Sequence, residues 1–419
     1  MVMDEIEIES ESGDEPLTPA GRLFLQPEMN QIIHCVIGMK NPPDIESIKS
    51  EIKNSSMLKH PRFTSLMVRD HRGVEHWRPI KIDIDHHLRI IKQPLSDVDD
   101  ESAINDYLAD LSTTDTCSGL GLGLSMDKPL WEIHILIAHK CVIFRIHHSL
   151  GDGISLMSML LASCRKVNDP EALPSIPVTT GTRIPRNFWN FLVTVWFCLI
   201  FAIELILRCL WIRDRKSPMT GGAGVELWPR KMATATFSLE HMKTVKRAVH
   251  NAEISNLMTS NSGARWGNKF GMILLPIYYH RSDSSDSLEY LKRTKAMIDR
   301  KKQSLEAHFS YKVGDFVMST LGPKFASLLN YRILCNTTFT ISNVIGPQEE
   351  IMIGGNPITF LRANNSALPH ALILNMVSYA GRADMQVQVA KDIIPDPEFL
   401  AKCFEDALLE MKEQVTAKL

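Results

Sequence analysis

Apolar positions along this chain follow two rhythms and one unbroken run. Residues 30–39 and the pair 131–137 and 141–147 alternate or cluster as strands do, with a short turn at 138–140 joining the pair. Pro43-Asp44 starts a helix that carries Ile45, Ile48 and Ile52 on one face. Gly153 opens another, with Ile154, Met157, Leu160, Leu161 and Cys164 at three- and four-residue spacing. A linker marked by Pro170, Pro174, Pro177 and Pro185 follows, and then 188–212 is almost wholly apolar, interrupted by Asn190, Thr194, Glu204 and Arg208. The second half predicts strands over 233–239, 272–278 and 337–342, the last running into a Gly346-Pro347 turn, and a helix over 287–305. It also predicts a hairpin of 372–379 and 385–390 around Ala380-Gly381. Pro397 begins a final helix with an apolar stripe of Phe399, Leu400, Phe404, Leu408 and Met411. Strands and helices alternate in both halves, so the expected class is α/β, with mixed sheets in two domains. The expected division is a tail over 1–15, a first domain over 16–180, a linker with an apolar helix over 181–225, and a second domain over 226–419.

Composition narrows the class further. Of 419 residues, 44% are hydrophobic and 22% charged, enough apolar mass for real cores. A net charge of -2 gives no electrostatic footprint for a nucleic acid. Eight cysteines are scattered without a CxxC pair, which favours reduced thiols in a cytosol-facing protein and no metal site. Residues 4–15 are acidic and lack an apolar run, so they read as a solvated tail rather than a signal peptide.

The candidate chemistry lies at 147–153. His147-His148-Ser149-Leu150-Gly151-Asp152-Gly153 is an HHxxxDG string where an apolar strand gives way to a helix. Strand alternation puts His148 with Ile146 and Phe144, and His147 with Arg145, so only one histidine can face a given cleft. An imidazole fixed beside a tight turn can take a proton from a hydroxyl at neutral pH. His148 is the candidate general base. His147 and Gly153 complete the motif, and Asp152 is expected to brace the turn through an Arg or backbone N–H groups. The chain also holds His86-His87 without an Asp-Gly, so a histidine pair alone carries little meaning. There is no GxSxG nucleophile elbow.

The chain resembles the plant bifunctional wax ester synthase/diacylglycerol acyltransferase family. The resemblance rests on Glu15-Pro16-Leu17-Thr18-Pro19, Lys128-Pro129-Leu130-Trp131-Glu132, the segment 144–153, Trp266-Gly267-Asn268-Lys269, Ile341-Ser342-Asn343-Val344-Ile345-Gly346-Pro347 and Ser378-Tyr379-Ala380-Gly381. The DFGWG signature of the plant BAHD acyltransferases is absent. The resemblance implies two α/β domains of the chloramphenicol-acetyltransferase type meeting at a channel. It implies acyl-CoA as co-substrate, with no other cofactor, and a long-chain fatty alcohol or diacylglycerol as acceptor. His148 would deprotonate the alcohol, the alkoxide would attack the thioester, and no covalent enzyme intermediate would form. Asn343 is the candidate for lining the channel from the second domain; a turn-forming Asn beside Gly-Pro is the alternative. The implied address is the endoplasmic reticulum membrane, facing the cytosol, with the plasma membrane as alternative.

One departure from the family pattern concerns residues 251–265. Relatives carry a helix with an Asn-Asp dipeptide, then a strand, in that interval, and several dozen residues are expected to be missing here. Two alternatives therefore stand beside the enzyme: a catalytically impaired acyl-CoA- or lipid-binding variant, and an acyltransferase for another hydroxylated acceptor. The segment 188–212 is long enough to span a bilayer, yet a single span would put the two domains on opposite sides. An interfacial helix on a membrane lipid surface is the expectation, ahead of a core helix. Oligomeric state is not readable from the sequence.

Overall fold

The computed structural model describes residues 14–117, 123–175, 188–248, 271–277, 287–303 and 306–417. The first half runs β1 (Glu15–Pro16), α1 (Pro19–Phe24), β2 (Ile32–Met39), α2 (Ile45–Asn54), β3 (Ser65–Arg69), β4 (Glu75–Pro79), β5 (Leu88–Ile91), α3 (Asp100–Cys117), β6 (Trp131–Leu136), β7 (Cys141–His147), α4 (Gly153–Ser163) and β8 (Arg165–Lys166). The apolar helix α5 (Phe188–Leu210) follows. The second half runs β9 (Arg230–Ser238), α6 (Leu239–Ala248), α7 (Ser287–Gln303), α8 (Glu306–Leu321), α9 (Pro323–Cys335), β10 (Thr340–Ile345), β11 (Ile351–Ile353), β12 (Asn356–Asn365), β13 (Leu372–Tyr379), β14 (Arg382–Ala390) and α10 (Pro397–Ala417).

Two mixed sheets carry the molecule. The first is seven-stranded, in the order β5-β6-β7-β2-β12-β11-β8; the second is four-stranded, β10-β13-β14-β9. Strands β1, β4 and β3 make a small third sheet. Alternation along β7 directs Val142 and Ile146 into the main core, with Met157 and Leu161 of α4. Cys141 and Ile143 point the other way, against Ile104 and Leu108 of α3. Val377 and Tyr379 of the second sheet belong to the same main core, so the two lobes are not independently packed. The opposite face of the second sheet, with Leu372, Leu374 and Val387, is covered by α10 through Leu400, Phe404 and Leu408.

Several expectations need correction. β11 and β12 lie within the supposed second domain but pair into the first sheet, β12 against β2 from Ile358↔Met39 to Asn365↔Ile33. Sheet membership therefore crosses the chain division near 226, a rearrangement that local periodicity does not encode. Folded structure also starts inside the expected tail: Asp14 accepts a forked pair of bonds from Arg78 at 3.0 and 2.7 Å, and Glu15–Pro16 pairs with β4. Residues 271–277 form no strand: the Met272 N–H goes to Ser310 Oγ of α8 rather than to a neighbouring strand. Phe399, assigned to the buried stripe of the last helix, is 67% exposed. The stretches 1–13, 251–265 and 266–269 lie outside the described residues. The 372–390 hairpin turns at Ala380 and Gly381, both with positive φ (43° and 85°), as a two-residue hairpin turn requires.

Candidate active site

The end of β7 builds the site. The His148 N–H donates to the Gln31 carbonyl at 2.9 Å, and the Leu150 N–H returns to the His147 carbonyl at 3.0 Å, closing a tight turn. Asp152 then caps α4, its Oδ1 accepting from the Ser155 N–H at 2.8 Å. The expected brace is thus made through a backbone N–H. Gly153 is the first residue of α4, and a Cβ there would lie 3.3 Å from Val344 of β10. Within the second sheet, a side chain at Gly346 would strike the Ser378 carbonyl oxygen of the neighbouring strand β13. The missing side chain at Gly153 lets β10 of the second sheet close against the histidine turn.

The two histidines part as alternation requires. His147 is fully buried. The Ser149 N–H points at its Nδ1 (3.2 Å), making that nitrogen an acceptor, so Nε2–H donates to Asn30 Oδ1 at 2.8 Å. Ser149 Oγ also lies 2.7 Å from Nδ1. His147 therefore fixes the turn and is not presented to a substrate. His148 is half-buried, and its ring stacks on Phe24 with centroids 4.0 Å apart and planes at 16°.

Polar side chains bridge the seam beside it. Asn365 Nδ2 donates to Gln31 Oε1 and Asn375 Nδ2 to Asn365 Oδ1, both at 3.4 Å. Asn343, expected to line the channel, is exposed and does not join them. Its parallel register partner is Met376, which packs with the core under α10, so parity puts Asn343 on the outer face. Ser342 and Val344, partnered with Asn375 and Val377, face the first domain instead. Sequence reasoning missed Asn30, Gln31, Phe24 and Asn375. Asn30 and Gln31 precede β2, Phe24 ends α1 and Asn375 lies within β13, and no local pattern marks them because long-range pairing brings them together.

Trp131 and Glu132 of the motif at 128–132 are scaffold. Trp131 is fully buried, donates Nε1–H to the Phe63 carbonyl at 2.9 Å and stacks on His87, which accounts for the second histidine pair. Burial alone would raise the Glu132 carboxyl, but hydrogen bonds from His134 and Lys128 and the charge of Arg145 outweigh it and hold it at about 2. Burial pushes the Cys35, Cys141 and Cys164 thiols up to about 12, so none is a ready thiolate nucleophile. Among the described residues no cluster of three or more His, Cys, Asp or Glu could hold a metal.

Two apolar features stand outside the histidine turn. An apolar cavity of about 100 Å³ lies on the Phe144 face of the first sheet, between Ile48 and Ile52 of α2 and Met159 and Leu160 of α4. Helix α5 packs by one stripe, Phe201, Leu205 and Cys209, against Ile333 and Phe309. Its other faces leave Trp189, Leu192, Trp196, Leu199, Ile203 and Ile206 exposed. Glu204 and Arg208 pair as expected, at 3.2 Å. Among the described residues no helix is long and apolar enough to cross a membrane.

Residues 266–412 match the WS/DGAT C-terminal domain family. Wax ester synthase/diacylglycerol acyltransferase 11 of Arabidopsis thaliana is 30% identical over 475 aligned positions, covering 96% of this chain and 95% of that protein. Its paralogue numbered 5 is 29% identical, covering 96% and 94%. An alignment of 475 positions against a 419-residue chain means that the relative carries residues with no counterpart here. Among solved structures, the wax ester synthase/diacylglycerol acyltransferase from Marinobacter aquaeolei VT8 superimposes with TM-score 0.61 at 16% identity, covering 96% of this chain and 100% of that one. The first condensation domain of the calcium-dependent antibiotic synthetase gives 0.57 at 14%, covering 97% of each. At such identities the two structures speak to the fold alone.

Proposed function

Because the chain belongs to the wax ester synthase/diacylglycerol acyltransferase family and is an acyl-CoA-dependent O-acyltransferase, we propose that His148 is its general base and that it esterifies long-chain alcohols at a membrane surface. The observation that carries the residue assignment is the split between the histidines: His147 spends both ring nitrogens on Asn30 and Ser149, while His148 stands half-buried at the seam between the sheets.

In this reading His148 removes the hydroxyl proton of the acceptor as its oxygen attacks the thioester carbonyl of acyl-CoA. The tetrahedral intermediate collapses by breaking the carbon–sulfur bond, and the imidazolium returns the proton to the CoA thiolate. The products are an ester and free CoA. A positioned base contributes about 10²- to 10⁴-fold, and alignment of two long substrates supplies much of the rest. The apolar cavity between α2 and α4 suits the end of a hydrocarbon tail, and the exposed face of α5 suits the boundary of a bilayer from which such substrates come. An endoplasmic reticulum membrane facing the cytosol fits this chemistry and the free cysteines.

Diacylglycerol is the second acceptor in the proposal. Membranes holding the protein are incubated with labelled palmitoyl-CoA and either hexadecanol or dioleoylglycerol, and the neutral lipids are separated. Wax ester above the membrane background supports the reading, with triacylglycerol as the lesser product. No ester from either acceptor favours the impaired lipid-binding variant that the shortened chain raises.

A further inference from the structure

The His148 ring is held by something the reaction scheme leaves unexplained. Helix α1 is short but well fixed: Thr18 Oγ1 accepts from the Gly21 N–H at 3.3 Å, and Pro19 occupies the first turn. A Cβ on Gly21 would lie 3.4 Å from the Ser149 carbonyl, so α1 stands within van der Waals reach of the histidine turn itself. At its end Phe24, 2% exposed, lays its ring on the imidazole. The far side of Phe24 packs with Leu23, Met29, Met318 of α8 and Ala326 of α9. A segment near the start of the chain, the histidine turn and two helices of the second half thus converge on one aromatic ring.

We infer that Phe24 is a positioning residue for acyl transfer: stacked face to face, it fixes the plane of the His148 imidazole and steadies the positive charge that ring gains when it takes the acceptor's proton. The inference rests on His148 being the base. A stack orients a ring through its face and leaves the two in-plane nitrogens to their own hydrogen bonds. A carboxylate partner would orient the ring only by occupying one of them. An aromatic face also attracts a cation, and does so more strongly where water is excluded, and Phe24 itself is buried. Two charges nearby in sequence are engaged elsewhere: Arg22 with Glu75 at 2.8 Å and Glu28 with the Ser327 hydroxyl at 3.2 Å.

The test is steady-state kinetics of the full chain in membranes, from pH 5 to 9, for Phe24→Met, Phe24→Tyr and the control Leu23→Ala. Methionine keeps apolar volume but removes the ring. Phe24→Met is expected to lower kcat by about 2- to 30-fold, the range a cation–π contact spans, with little change in KM for acyl-CoA. Its acidic limb should move to lower pH, because the imidazolium has lost a stabiliser. Phe24→Tyr should keep both kcat and the limb. Wild-type kcat and limb in Phe24→Met would overturn the inference. So would a rise in kcat, which would make the stack an obstacle, or the same losses in Leu23→Ala, which would make the role mere packing. Should Phe24→Met fail to fold by thermal melt, Phe24→Trp decides: a limb moved to higher pH supports the inference and an unmoved limb ends it. His148→Ala run alongside separates the two proposals, since an active His148→Ala sinks the base assignment whatever Phe24 does.

Discussion

Strand parity at the end of β7 sends His147 inward to Asn30 and Ser149 and leaves His148 against Phe24. That parity was legible in the sequence, as was the Asp152 cap, because both depend on neighbours within a few residues. Asn343 was not. Its face depends on pairing with Met376, more than thirty positions away, and one step of register decides it. A second residue-scale case is His370. Its ring bridges the Thr337 and Thr340 hydroxyls at 2.8 and 3.0 Å, and it is 1% exposed. Burial, with help from the charge of Arg230, pushes its pKa from 6.5 down to about 4. A histidine with a depressed folded pKa contributes stability above the unfolded value and loses it as pH falls toward the folded one. Urea denaturation should therefore show a loss on the order of 3 kcal/mol attributable to this residue between pH 6.5 and 4. In His370→Gln that part of the slope should be gone; an unchanged slope would mean that another group carries it.

At the scale of elements, periodicity located the β6–β7 hairpin, α4, the 372–390 hairpin and α10, which are long or sharply bounded by turns. It failed over 271–277, where a run of apolar residues meets a helix, α8, through Met272 and Ser310 instead of a partner strand, and it left α8 and α9 undescribed. Helix α5 is the element whose surface is least like that of a core helix. Only one stripe packs, and Arg208 pins its end by bonds to Asp214 Oδ1 at 2.8 Å and the Asn336 carbonyl at 3.0 Å. An apolar surface this extensive marks an interaction site. Changing Trp196 and Ile203 together to Glu should release the protein from phosphatidylcholine vesicles in a flotation assay while leaving thermal unfolding within a few degrees. Full retention on the vesicles would remove α5 as the anchor.

At the scale of the whole molecule, two devices join the sheets: the loan of β11 and β12 to the first sheet, and a charged latch. Arg362 on β12 gives Nε–H to Asp384 of β14 at 2.9 Å and its fork to Glu101 of α3 at 2.7 and 2.8 Å. Asp384 is 1% exposed, so taking the guanidinium away leaves a buried charge held by Arg382 and the Thr236 hydroxyl. Arg362→Ala should cost about 3 kcal/mol in denaturant unfolding, and a cost under about 1 would show that the latch is solvated in solution. The fold class was readable from alternating strands and helices. The crossing of β12 was not, since long-range pairing leaves no local trace. Among the described residues β10 has a neighbour on one side only, with Ile341 57% exposed, which is how a lobe shorter than its relatives' would present an edge. Activity must therefore be measured in this chain itself. The most direct measurement compares CoA release from palmitoyl-CoA plus hexadecanol by wild type and by folded His148→Ala. Ester-coupled release in wild type that falls by at least about 100-fold in the variant is the predicted result. Equal release from both proteins would contradict it.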